Sequence, residues 1–193
     1  MARTQAADYD KKREAITGKA AVLFARSGFA GASISELASV CSVSKSLIYH
    51  YYESKEEILY GVMSEHIDEL ISISEEPIDA DTAQDEFLQY TRSLLTCYAG
   101  AADSQKVLLY ELEALPTEYR AEIVEKQRRL IKRVEDILGR CKPGIAKKSA
   151  QLRTIVMLYF GMLNWTQSWF NPKGPVTREQ LADMAVEMTL SSL

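Results

Sequence analysis

The sequence predicts an all-α protein of about nine helices. Apolar residues recur at helical spacing along most of the chain, and nothing reads as a sheet. The only prolines are Pro77, Pro116, Pro143, Pro172 and Pro175, four of them near Gly, Thr or Asp turn residues, with long periodic stretches between. The 193 residues, 47% apolar and 26% charged, can bury a real core and do not resemble a disordered chain.

The first helix is expected over about Tyr9 to Arg26. Ile16, Ala20, Leu23 and Phe24 form its apolar stripe, and Gly28 supplies a left-handed stop. The second runs from Ile34 to Cys41. Ser33 and Glu36 have capping-box spacing, and Ile34, Leu37, Ala38 and Cys41 share one face. Ser42-Val43-Ser44 is a short turn, and a third helix spans Lys45 to Tyr51. Ser54 and Glu57 form a second capping box before a long fourth helix to about Ser74. Pro77 to Asp81 breaks the chain into two parts. Further helices are expected at about 82–99, 104–115, 117–138, 146–169 and 178–191. Asp103, Thr117 and Thr177 are their candidate caps, the last paired with Gln180. Gly139 and the Lys142-Pro143-Gly144 turn separate two of them.

Charge is unevenly spread. The net −4 divides into +3 over residues 1–52, −13 over 53–119, +7 over 120–153 and −1 over 154–193. Such a chain does not coat nucleic acid indiscriminately, but its basic N-terminal end can dock on phosphates. Met1 to Lys19 is too polar for a secretory signal. The longest uncharged stretch, Thr154 to Pro172, is interrupted by Asn164, Thr166, Gln167, Ser168 and Asn171, which predicts a buried helix and no membrane partner. Cys41, Cys97 and Cys141 have neither disulfide nor zinc spacing, so a cytoplasmic location is expected.

Two short helices joined by a three-residue turn, over about residues 33–52, are the helix-turn-helix signature, whose second helix lies in the DNA major groove. On the third helix Ile48, Tyr51 and Tyr52 share one face, Ser46 and His50 the opposite face, and Lys45 and Tyr49 flank them. That outward face is small and polar at its start, which suits base-edge contact. Ser33, Ser44 and Ser54 sit at helix starts, where phosphate oxygens are favoured. The plainer reading is an amphipathic helix with a solvated face.

Three runs carry a resemblance: Gly28-Phe29-Ala30-Gly31-Ala32-Ser33-Ile34-Ser35-Glu36-Leu37-Ala38, then Val43-Ser44-Lys45-Ser46-Leu47-Ile48-Tyr49-His50-Tyr51-Tyr52, then Ser54-Lys55-Glu56-Glu57-Ile58-Leu59. Together they resemble the TetR family of bacterial transcription regulators over roughly residues 12–60. Ala32 stands where threonine is frequent, Ser42 and Ser46 where glycine is, and Tyr52 where phenylalanine is. By position the resemblance implies that Lys45, Ser46, Leu47 and His50 face bases, with Ser35 near them. Ser33, Ser44, Tyr49 and Lys55 would hold phosphates, and Ile48 and Tyr51 would be core. It also implies a DNA-binding domain over 1–60 and a helical domain over 61–193 that binds a small-molecule effector and builds a homodimer through its last two long helices.

In that second domain Ile155 to Leu163 is apolar all round and is expected to be buried on several sides. Leu181, Met184, Ala185, Met188 and Leu190 or Thr189 form the stripe of the last helix, so the dimer would be a four-helix bundle. Aromatic residues at helical spacing are more often core than ligand contacts. Tyr98, Tyr110, Trp165 and Asn164, an amide expected to be buried, are nonetheless the candidate ligand residues. Glu122–Lys126 and Glu125–Arg129 have i, i+4 spacing and would neutralise part of the basic segment. Arg128, Arg129 and Arg133 leave excess charge that would meet phosphates. Gly161 to Trp165 with Trp169 to Pro172 and Gly174 resembles the C-terminal end of family members that respond to acyl-coenzyme A thioesters. The expected function is a repressor released from its operator by such an effector. The alternatives are a regulator sensing a hydrophobic compound without coenzyme A, and an interaction protein that retains only the helix-turn-helix shape.

An enzyme is not expected. The chain has no G-x-S-x-G elbow, H-E-x-x-H or P-loop, and only two histidines, His50 and His66. No catalytic or metal residues and no cofactor are assigned. A thiol sensor is the remaining possibility, but Cys41 lies on the core face of the second helix and is expected to be inert packing.

Overall fold

A computed structural model describes the backbone of residues 2–193 and the side chains from residue 9 onward. Among the described residues the chain is helical, with no strand. Helices α1 (Ala2–Gly31), α2 (Ile34–Cys41), α3 (Lys45–Tyr51) and α4 (Lys55–Glu75) come first. They are followed by α5 (Ala83–Gly100), α6 (Ala102–Tyr110), a 3₁₀ turn at Leu112–Ala114 and α7 (Thr117–Cys141). The short α8 (Pro143–Ala146), α9 (Ser149–Trp169) and α10 (Arg178–Ser191) complete the chain. The tenth helix beyond the expected nine is α8, a single turn that begins at Pro143, where the missing N–H costs nothing.

Two compact units form: Met1–Ile67 with Ala101–Ile123, and Asp68–Gly100 with Val124–Leu193. The division expected between residues 60 and 61 falls inside α4; the units part at 67/68, and α7 also contributes to both.

In the first unit the predicted stripe of α1 is buried, and Phe24 meets the edge of Phe29 at 5.5 Å. Gly28, at φ 71°, breaks α1 one turn before its end. Helix α1 packs on α2 and α6. Ile48, Ile58, Leu59, Met63 and Ile67 fill the core. Burying a side chain of this size contributes roughly 1.5–3 kcal/mol. His66 is buried too and shares a 2.6 Å hydrogen bond with Gln105, which makes it part of the core. Cys41 is half-buried, less enclosed than its place on the α2 stripe suggests, because it lies in the last turn.

In the second unit α10 packs on α5 and α9. Phe87, Tyr90, Leu94, Val134, Ile137, Val156 and Tyr159 are buried, and the Tyr159 and Thr91 hydroxyls share a 2.9 Å hydrogen bond. Glu86 is clamped by two arginines. Arg140 donates to both its oxygens at 2.6 and 2.8 Å, and Arg133 approaches Oε1 at 2.9 Å. The Arg140 hydrogen bonds hold the Glu86 carboxyl below its ordinary range.

Within one chain α9 buries Ile155, Val156, Tyr159, Phe160 and Leu163 and leaves Met157, Leu158, Trp165 and Trp169 exposed. One expectation is corrected. Asp103 does not cap α6; Ala101 takes that position, and Asp103 lies in the first turn, favourable to the helix dipole.

Candidate nucleic-acid interface

Helix α2, the turn and α3 are fixed by local chemistry. The Ser33 hydroxyl accepts from the Glu36 N–H at 3.1 Å, which caps α2. At its other end Ser42 adopts a left-handed conformation, φ 57°. The Ser42 N–H donates to the Ser39 carbonyl at 3.0 Å and the Val43 N–H to the Ala38 carbonyl at 2.9 Å, the paired bonds of a Schellman stop. Ser44 then caps α3, accepting from the Leu47 N–H at 3.1 Å. Ser54 caps α4, accepting from Glu57 at 3.0 Å, while the Glu57 carboxylate accepts from the Glu53 N–H at 2.6 Å.

Ile48, fully buried, and Tyr51, nearly so, anchor α3 and fix which face points outward. Ser33, Ser35, Ser44, Lys45, Ser46, Leu47, Tyr49 and His50 are all exposed. The capping hydroxyls use a lone pair toward their own helices, which leaves the O–H to donate to a phosphate oxygen. Together these groups offer donors, one cation and apolar edges from a short rigid helix, a combination suited to reading base edges.

Lys55 is the exception. It is half-buried, donates to the Ala32 carbonyl at 2.7 Å, and lies 4.1 Å from the centre of the Phe29 ring. It ties the start of α4 to the segment between α1 and α2.

Tyr9 and Arg13, not singled out by the sequence, complete this surface. The Tyr9 ring lies 4.8 Å from that of Tyr51 and 6.3 Å from that of His50. Arg13 lies 4.4 Å from the centre of the Tyr52 ring and pairs with Glu57 at 3.4 Å. Tyr52, where phenylalanine is frequent, donates its hydroxyl to the Arg13 carbonyl at 3.2 Å. Burial pushes its phenol up. The signal was present: Tyr9 and Arg13 extend the Ile16 and Ala20 stripe backward at helical spacing.

The candidate ligand residues are placed less uniformly. Arg128, Arg129 and Arg133 line one open groove of about 500 Å³ with Ser74, Glu75 and Arg153. Every one of its arginines has an acidic partner: Arg128–Glu125, Arg129–Glu75, Arg133–Glu86 and Arg153–Glu135. Lys126 pairs with Asp68, and Tyr60 donates to Glu122. Arg129 and Lys126 therefore reach acids on α4, Glu75 and Asp68, while Glu125 pairs three residues on with Arg128 rather than four on with Arg129. Tyr98 is buried. Asn164 is half-buried rather than enclosed, one turn from the exposed end of α9. Trp165 and Tyr110, expected beside a ligand, stand exposed at 63% and 61%. Trp165 lines an apolar cleft of about 260 Å³ with Trp169, Met184 and Met188. Tyr110 belongs to the first unit, beside Gly28 and Lys106. Inside the second unit the Tyr90 hydroxyl and the Arg133 Nε–H are buried without a partner.

Comparison with known proteins supplies a frame for this geometry. Residues 16–61 match the family model described as bacterial regulatory proteins, tetR family, and residues 80–193 match the tetracyclin repressor-like C-terminal domain. A TetR-family transcriptional regulator from Bordetella parapertussis has a crystal structure similar to this chain, with 36% identity, a TM-score of 0.88, and 92% of this chain and 93% of that one covered. The HTH-type transcriptional repressor SCO4008 of Streptomyces coelicolor is 26% identical over 83% of this chain and 80% of its own. AibR, solved in complex with isovaleryl coenzyme A and operator DNA, has the same fold, with 24% identity, a TM-score of 0.76, and 91% of this chain and 96% of that one covered.

Proposed function

The chain belongs to the TetR family of bacterial regulatory proteins, and from that premise we propose that it is a cytoplasmic repressor. A homodimer binds operator DNA through its two α3 helices and lets go when a small effector occupies the second unit. The observation that carries the reading is the exposed face of α3 and its flanks. Eight of the nine residues assigned to DNA contact are exposed there, on a helix held by a buried Ile48 and capped at its start by Ser44. The test is binding of the purified protein to duplexes selected from a randomised pool. A site-specific regulator enriches one sequence, while a helical interaction protein of the same shape enriches none.

Dimerisation is supported by the α9 and α10 surface. Met157, Leu158, Trp165, Trp169, Met184 and Met188 expose large apolar side chains on the two helices, an area that a lone chain rarely leaves in water. Trp165 therefore serves the dimer face rather than the ligand.

The effector is read from unpaired donors. Tyr90 is fully buried and Arg133 supplies a buried Nε–H, and neither group has an acceptor. An unpaired buried donor costs about 1–3 kcal/mol, so an acceptor that bonds both is bound with that energy in hand. Glu86 carries one negative charge between Arg133 and Arg140, so the cluster has net charge +1 and favours an anionic or carbonyl group. An acyl-coenzyme A thioester is the sharper form of this reading. Arg128, Arg129 and Arg133 share one groove, and AibR binds such a ligand. Titration of the DNA complex with matched free acids and thioesters decides between them: only a phosphate-bearing ligand uses the groove. Effector and DNA must each weaken the other's binding by the same factor, because the coupling is one free energy.

A further inference from the structure

His50 stands exposed in the last turn of α3, where an unrestrained imidazole would exchange among rotamers. It is not unrestrained. The Tyr51 ring meets it edge-on at 5.0 Å and 81°, and the Tyr9 ring of α1 meets it edge-on at 6.3 Å and 76°. Tyr9 is held in its turn. It lies against Tyr51, 4.8 Å between ring centres, and stands one turn from Arg13 on α1. Arg13 is placed over Tyr52 and beside Glu57, and the Glu57 carboxylate also receives the Glu53 N–H. One continuous set of contacts therefore runs from the start of α4 through α1 to the imidazole, all within Met1–Ile67.

We propose that Tyr9 is a positioning residue for His50: its ring holds the imidazole at the reading face, so α1 as well as α3 sets base preference. The proposal rests on the reading that α3 contacts base edges. Tyr9 has no need to touch DNA for this role. Its ring matters more than its hydroxyl, because the ring makes the contacts to His50 and Tyr51.

The experiment is selection of duplexes from a randomised pool by the full-length chain and by Y9F, Y9A, H50A and the Y9A/H50A double variant. H50A identifies the base pair that His50 reads, where preference is expected to fall about tenfold. Y9A is expected to lose preference at that same base pair and at no other. Y9F is expected to keep it, and the double variant to match H50A, since both changes remove one interaction. Y9L, which keeps apolar bulk without a ring, stands in if Y9A melts below the assay temperature. A Y9A or Y9L pattern identical to the parent chain, with or without a uniform loss of affinity, overturns the proposal and leaves DNA reading intact. A parent chain that enriches no sequence overturns the DNA reading itself, and the proposal with it.

Discussion

Ser42 and Ser44 illustrate how single residues shape this head. Ser42 occupies a left-handed turn position where glycine is unstrained. Ser42→Gly should relieve that strain at some cost in unfolded-state entropy, for a net gain of up to about 1 kcal/mol. Thermal denaturation should show a higher midpoint, and an unchanged or lower one would contradict the strain argument. Ser44→Ala removes the cap of α3 and should cost about 1 kcal/mol. It should also weaken DNA binding, whereas a cap replaced by Asp should restore stability while repelling phosphate. Most of this was legible in the sequence, since caps and turn residues act through near neighbours. For Tyr9 and Arg13 the helical stripe was legible but the contacts were not, because their partners Tyr51, Tyr52 and Glu57 lie outside α1.

At the level of helices, periodicity located nearly every element to within a few residues. It failed on the question of what lies across from a face. Two of the acids that meet α7 illustrate this: Asp68 and Glu75 come from α4, beside the acids that α7 supplies itself. Charge totals said that the acidic and basic segments match, but not which residues pair. The junction of α5 and α7 carries a pH prediction. Arg140, and behind it Arg133, lower the Glu86 carboxyl in the folded chain. A depressed carboxylate contributes stability above its unfolded value and loses it as pH falls through the folded one. Stability should therefore decline as pH drops below about 4, the ordinary carboxylate range, and Glu86→Gln should flatten that decline while lowering stability at neutral pH. Denaturation midpoints measured across pH would show it. Equal acid sensitivity in the parent chain and Glu86→Gln would remove Glu86 as the cause.

For the molecule as a whole, the sequence identified which helices are apolar but not which apolar residues stay outside. Trp165 and Tyr159, six residues apart on α9, have opposite fates: one is exposed and the other fully buried. A core face and a surface that awaits a second copy have the same composition. Trp165→Glu with Met188→Glu places charge on the surface assigned to the dimer. Sedimentation should show the parent chain as a dimer and the double variant as a folded monomer. A variant that remains dimeric would move the interface elsewhere.

A reading face on α3 should make this chain bind one DNA sequence in preference to others. The most direct measurement is fluorescence anisotropy with the selected duplex and a scrambled duplex of equal length and composition, each across a range of salt concentrations. The selected duplex should bind at least about a thousandfold more tightly at physiological salt. Affinity for both should fall with salt, because phosphate contacts release counterions in each case. Equal affinity for the two duplexes, falling in parallel with salt, would contradict that preference: α3 would then be a solvated helix face and the binding only charge.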